Sequence, residues 1–258
     1  MGELILDGST YQFIILFAII LPAAFLHGLV GFGFGLIVIP LASLMFPIEV
    51  MVPFVTLIGF ALNFGLILKL PSKPKSPEVY YLLAGSLIGT IPGVIFLKIV
   101  EPLYAKILIA LVLISYSLYS LFARKRILIQ LPAPLGTVAG MVGAFLGSGM
   151  AASGPPIIIF TTIQPWLKNQ IKATNTMYLF CTGFLSVASH VGAGLTTEDV
   201  LIKFAIIGPI ALFASWVGSC YFDKIDHELF GKIAFSVLLA IGLILLTVSV
   251  TTLLVLLL

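Results

Sequence analysis

Charge is what this sequence has least of. Only 9% of its 258 residues are Asp, Glu, Lys or Arg, against roughly 25% in a soluble globular domain. With 60% hydrophobic residues and a mean hydropathy of +1.23, the chain has too little polar surface to face water, and lipid is the solvent that fits. The two cysteines, Cys181 and Cys220, both lie in apolar runs and form no CxxC motif, which excludes a disulfide framework and a thiolate metal site. No metal, cofactor or catalytic group is expected. The 13 Lys and Arg lie between or at the ends of apolar runs. They form no clustered basic face, which argues against nucleic acid as a partner. No basic residue precedes the first apolar run, only Glu3 and Asp7, so that run is expected to be retained rather than cleaved as a secretory signal.

What remains is a series of eight apolar stretches: 11–46, 50–69, 79–100, 103–122, 132–165, 173–195, 200–221 and 229–256. Most have the roughly 20 residues that a helix needs to cross a bilayer core. The first and fifth are too long for one crossing, and both are interrupted. Gly31-Phe32-Gly33-Phe34-Gly35 breaks the first; Gly147-Ser148-Gly149, followed by Ser153-Gly154-Pro155-Pro156, breaks the fifth. Glycine and paired proline weaken a helix interior, so each long run is expected to be a re-entrant hairpin.

The placement of basic residues tests this. With eight simple crossings, seven of the 13 basic residues fall on one side and six on the other. With two hairpins, one side holds ten: Lys69, Lys73, Lys75, Arg124, Lys125, Arg126, Lys168, Lys172, Lys224 and Lys232. The other keeps Lys98, Lys106 and Lys203. That asymmetry makes the richer side cytoplasmic, with both termini outside and the protein multi-pass in a prokaryotic cell membrane.

The expected fold class is therefore all-α integral membrane, with two inverted repeats, each a broken re-entrant hairpin plus three transmembrane helices. Repeat 1 covers 1–125 (hairpin 11–46, helices 50–69, 79–100 and 103–122). Repeat 2 covers 126–258 (hairpin 132–165, helices 173–195, 200–221 and 229–256). An offset of 116 residues places Gly31 on Gly147, Gly33 on Gly149 and Pro40 on Pro156; an offset of 125 places Gly93 on Gly218 and Glu101 on Asp226. Glycines every fourth residue (Gly85, Gly89 and Gly93; Gly136 and Gly140; Gly143 and Gly147) are packing faces. They serve a bundle and a homodimer equally well.

Irregular backbone at membrane depth is tolerated where it is buried in protein or lines a watery cavity, so the two breaks are expected to meet. A helix starting at each break exposes unpaired N–H groups and a positive dipole end, and two such ends make an anion site without a cationic side chain. The candidate substrate-binding residues are Gly31, Gly33, Phe34, Gly35, Asn63, Gly147, Ser148, Gly149, Ser153, Gly154, Thr174 and Asn175. No Lys, Arg, Asp or Glu lies at the middle of a run. His27 and His190 are then the candidates for coupling protons to transport, each weighed against an ordinary packing role.

These motifs resemble the sulfite exporter TauE/SafE family over nearly the whole chain. The resemblance rests on Gly31-Phe32-Gly33-Phe34-Gly35 through Pro40, Gly147-Ser148-Gly149 through Pro156, Ala173-Thr174, and the third run through Gly93 to Glu101-Pro102. It implies transport of a small anion, sulfite or an organosulfur anion such as a sulfonate of the sulfoacetate type, bound between the two breaks. Phe34 stands where the family usually has glycine, and Met150-Ala151 departs from the pattern in the second break, giving a bulkier tip. A passive anion channel of the same fold is an alternative reading. A second is an intramembrane serine protease using Ser153 and His190, since Ala151-Ala152-Ser153-Gly154 approaches a GxSG motif.

Overall fold

The computed structural model describes residues 8–68, 70, 72–122, 128–221 and 227–257. Glu3, Asp7, Lys69, the basic cluster Arg124-Lys125-Arg126 with the boundary between the two halves, Lys224 and Asp226 lie outside the described residues. The described residues form ten helices and no strand: α1 (Gly8–Val30), α2 (Phe34–Ala42), α3 (Ile48–Ile67), α4 (Glu78–Ile99), α5 (Pro102–Phe122), α6 (Leu135–Met150), α7 (Gly154–Thr162), α8 (Lys168–Gly192), α9 (Glu198–Cys220) and α10 (His227–Leu257). Six of them, α1, α3, α4, α5, α9 and α10, are long and apolar enough to cross a membrane. The chain is an all-α integral membrane protein.

Local sequence sets the helix ends. Gly31 takes a left-handed φ of 85° and its N–H returns to the His27 carbonyl oxygen at 2.6 Å, a glycine stop for α1. α9 starts behind Thr197, whose side chain accepts from the Val200 N–H at 3.4 Å, with Glu198 and Asp199 in its first turn; hydroxyl cap and acidic turn both suit a helix N-terminus.

In lipid, helices associate through close packing of small residues, and two seams use glycine in this way. Between α4 and α6, a Cβ on Gly85 would overlap the Thr137 carbonyl oxygen and one on Gly140 would overlap that of Leu82. Between α1 and α9, a Cβ on Gly28 would overlap the Ser215 carbonyl oxygen and one on Gly218 that of Phe25. In all four cases the glycine lies on the carbonyl three residues before the partner's glycine. The four-residue glycine stripes of α4 and α6 are thus consumed within the chain. α5 packs on α10, and α3 on α8.

The chain before α6 and the chain after α7 are tied together. The Ile129 N–H donates to the Ile163 carbonyl oxygen at 2.8 Å, and the Leu131 N–H donates to Gln164 Oε1 at 3.1 Å. α6 and α7 therefore enter and leave at one end of the bundle, as a hairpin. The link between α3 and α4 joins the start of α8 through Lys75 N–H to Thr174 Oγ1 at 2.9 Å, and the far ends of α4 and α8 meet where Lys98 Nζ donates to the Ala193 carbonyl oxygen at 3.1 Å. α3 and α8 consequently run antiparallel.

Helix positions recur at one offset. α2 and α7 start at Phe34 and Gly154, α3 and α8 at Ile48 and Lys168, α4 and α9 at Glu78 and Glu198, each pair 120 residues apart. The same offset relates Phe60 to Phe180 and Phe64 to Phe184. Phe60 and Phe180 stack at 5.3 Å between ring centroids, and the two cross pairs match, Phe60–Phe184 at 6.1 Å and Phe64–Phe180 at 6.0 Å. This offset lies between the 116 and 125 read from sequence, and α5 and α10 start 125 residues apart, at Pro102 and His227. The second break falls at 151–153, with Gly147 and Gly149 inside α6.

Candidate functional site

The two breaks are built differently and touch. In the first, Gly33 at φ 93° is the cap of α2, a conformation that costs an L side chain about 1–2 kcal/mol. In the second, Ala151 itself is left-handed, φ 53°, and its N–H together with that of Ala152 winds back to the carbonyls of Gly147 and Leu146. The second residue of α2, Gly35, lies on the Ala151 carbonyl so closely that a Cβ there would overlap it.

At this junction is a cavity of about 60 Å³, walled by both breaks, α3 and α8. One water needs roughly 10–15 Å³ by the same measure, so the space suits a group of several heavy atoms. It is bordered by Val55 to Asn63 of α3 and Leu179 to Ser186 of α8, the middle stretches of both helices, and therefore lies at mid-depth of the bundle. No Lys, Arg, Asp or Glu lines it.

Four of the residues lining it carry buried polar atoms that are unsatisfied. His27 is 2% exposed, and neither Nδ1 nor Nε2 has a hydrogen-bond partner. Thr56 Oγ1, Thr182 Oγ1 and Asn63 Oδ1 are buried and equally without partners, whereas Asn63 Nδ2 donates to the Gly59 carbonyl oxygen at 2.8 Å. Buried polar atoms ordinarily have partners, so four residues with orphaned atoms around one cavity mark a place for a polar occupant. The N-terminus of α2 adds backbone N–H groups at Phe34, Gly35 and Leu36, which have no intrahelical acceptor. α7 adds the Gly154 N–H and the Ser153 hydroxyl, but Pro155 and Pro156 bring none.

Of the residues expected from sequence, Gly33, Phe34, Gly35, Asn63, Gly147, Ser153, Gly154 and His27 line the cavity. The others lie outside it. Gly31 shapes the turn. Gly149 sits on the Gly93 carbonyl in the α4–α6 seam. Ser148 Oγ donates to the carbonyls of Thr90 at 2.8 Å and Ala144 at 2.9 Å. Thr174 accepts from Lys75, and Asn175 Oδ1 accepts from Thr161 Oγ1 at 2.9 Å. His190 Nε2 donates to the Ser148 carbonyl oxygen at 2.7 Å, so it faces that carbonyl rather than Ser153, and no hydrogen bond joins the two among the described residues. Thr56, Gly59, Thr182 and Ser186 were not singled out from sequence, although Thr56, Gly59 and Asn63 are spaced i, i+3, i+7 and Thr182 and Ser186 i, i+4. A polar stripe at helical period in an apolar run is the signal that finds them.

A multi-pass helical protein with paired helix breaks around a polar, mid-depth cavity has the organisation of a membrane transporter. The family model for sulfite exporter TauE/SafE matches residues 16–245, and the chain belongs to that family. No curated protein and no solved structure matches it.

Proposed function

We propose that this protein carries sulfite, or a small organosulfur anion such as a sulfonate, across the cell membrane by alternating access, and that it is not an enzyme. The observation that carries the reading is the convergence of the α2 N-terminus and four residues with orphaned polar atoms on one uncharged cavity. An anion is attracted there by backbone amides and the helix dipole, without a cationic side chain whose tight grip would slow release.

The chain is read as two inverted repeats. The 120-residue offset shared by three helix pairs, the antiparallel course of α3 and α8, and the matched phenylalanine pairs support this. Such an arrangement supplies two equivalent gating movements around a fixed site. We read both termini as outside, with Lys73 and Lys75 before α4 and Lys168 and Lys172 in the first turns of α8 on the cytoplasmic side.

The test is flux of labelled sulfite and sulfoacetate into proteoliposomes, with counterflow. Uptake accelerated by unlabelled substrate inside supports a carrier; high flux without acceleration supports a passive channel; no flux of any sulfur oxyanion overturns the proposal. His27 is the proposed proton-coupling group, because no other titratable side chain lines the cavity. His27→Ala is expected to flatten the pH dependence of flux, and an unchanged profile returns His27 to packing.

A further inference from the structure

Resting on that transport reading, we infer that the site selects anions carrying a hydrogen-bond donor of their own, such as hydrogensulfite or a hydroxylated sulfonate, over anions whose rim offers only acceptors. The residue responsible is Asn63.

An amide side chain presents one acceptor oxygen and one donor nitrogen, and here their orientation is fixed. Asn63 Nδ2 donates to the Gly59 carbonyl oxygen at 2.8 Å; turning the amide over would set two acceptors against each other. The oxygen is thereby left buried and with no partner in the protein, on a cavity-lining residue that is 6% exposed. A site made only to surround an anion would present donors alone. This one has donors in the α2 amides and in the Thr56 and Thr182 hydroxyls, and a fixed acceptor among them.

His27 repeats the pattern, since a neutral imidazole has one donor and one acceptor nitrogen and both are unpartnered. An anion with acceptor oxygens only would satisfy the donors and leave Asn63 Oδ1 facing like charge. A protonated oxyanion, or one with a hydroxyl beside its sulfonate, satisfies both kinds of group. The equivalent position in the second half, 120 residues on, is Gly183, so the amide acceptor has no counterpart there.

Sites built to pair with a substrate hydroxyl discriminate strongly against analogues lacking it. Isethionate and propanesulfonate match in charge and size and differ by a hydroxyl in place of a methyl. In proteoliposomes containing the full chain, subsaturating isethionate is expected to enter about tenfold faster than propanesulfonate, the ratio corresponding to one unpaired buried polar group. Asn63→Leu, close in shape, should bring the ratio near one. Equal rates in the wild type, or a ratio unmoved by Asn63→Leu, would overturn the inference.

A second measurement needs no variant. Sulfite flux should fall more steeply than propanesulfonate flux as pH rises through the range where hydrogensulfite loses its proton, because propanesulfonate does not titrate there and shows only the dependence that His27 imposes on every substrate. Parallel curves overturn the inference. Sulfite transported readily without any preference for donors leaves the transport reading intact and defeats only this one; absence of all three fluxes in the wild type defeats both.

Discussion

The first break is open and the second is crowded, although both reverse the chain beside the same cavity. A Cβ added to Gly31 or Gly33 would meet nothing within 4 Å, yet both have left-handed φ. Glycine is needed there for its backbone conformation. At the second break the left-handed residue is Ala151, and the glycines around it serve contact: Gly147 is pressed by Ser153, Gly149 by Gly93, and Gly143 by Tyr178 Oη and the Ser153 carbonyl. The donor supply differs too. α2 begins with three amides free of intrahelical bonds, while prolines occupy two of the corresponding places in α7. On the proposed reading the first break is the binding face, and the second is the wall that holds it.

That division of labour is tested most severely at Gly35, where the two breaks meet. Gly35→Val sets a branched side chain into the Ala151 carbonyl, and overpacking of this kind costs about 1–3 kcal/mol. Because the strain falls on the junction itself, sulfite flux is expected to drop at least tenfold while the protein still inserts and purifies as a single species. Flux within twofold of wild type would mean that the breaks can separate without consequence. Gly149→Val should act next most strongly, by opening the α4–α6 seam, with its first sign a lower melting temperature in detergent and flux reduced in proportion.

The open character of the first break predicts a smaller effect. Gly33→Ala has space for its methyl group and suffers only the left-handed φ. The cost is about 1–2 kcal/mol, partly offset by roughly 0.5–1 kcal/mol from the lower backbone entropy of alanine in the unfolded chain. A net loss of about 0.5–1 kcal/mol should appear as a shift of a few degrees in melting temperature with sulfite flux largely kept.

The same contrast explains what sequence could and could not disclose. The membrane fold was legible because lipid forces long apolar runs, and Gly31-Phe32-Gly33-Phe34-Gly35 announced a break because three glycines serve no helix interior well. Gly147-Ser148-Gly149 looked like a second break for the same reason, but its glycines answer a different need, close approach to α4, and the chain reverses four residues later at Ala151. Composition alone does not separate these two uses of glycine. Nor does it separate a threonine beside a cavity from one bonded to its own helix: Thr90 and Thr162 return their hydroxyls to the carbonyls of Ser86 and Ile158, whereas Thr56 and Thr182 keep theirs unpaired. Only the packing distinguishes them.

The smallest predicted effect has the opposite sign. Ala151 is the one described non-glycine residue with positive φ, so Ala151→Gly relieves about 1–2 kcal/mol of backbone strain and adds roughly 0.5–1 kcal/mol of unfolded-state entropy to be lost on folding. The balance is a stabilisation of about 0.5–1 kcal/mol, and the melting temperature should rise slightly. Flux should be unchanged, because the Ala151 carbonyl that meets Gly35 is retained and the methyl group removed belongs to the wall. The pair Gly33→Ala and Ala151→Gly therefore moves stability in opposite directions by similar amounts. Were both to lower stability, the Ala151 methyl would be contributing contact worth more than its strain, and the second break would depend on side-chain packing at its tip as well as on the glycines behind it.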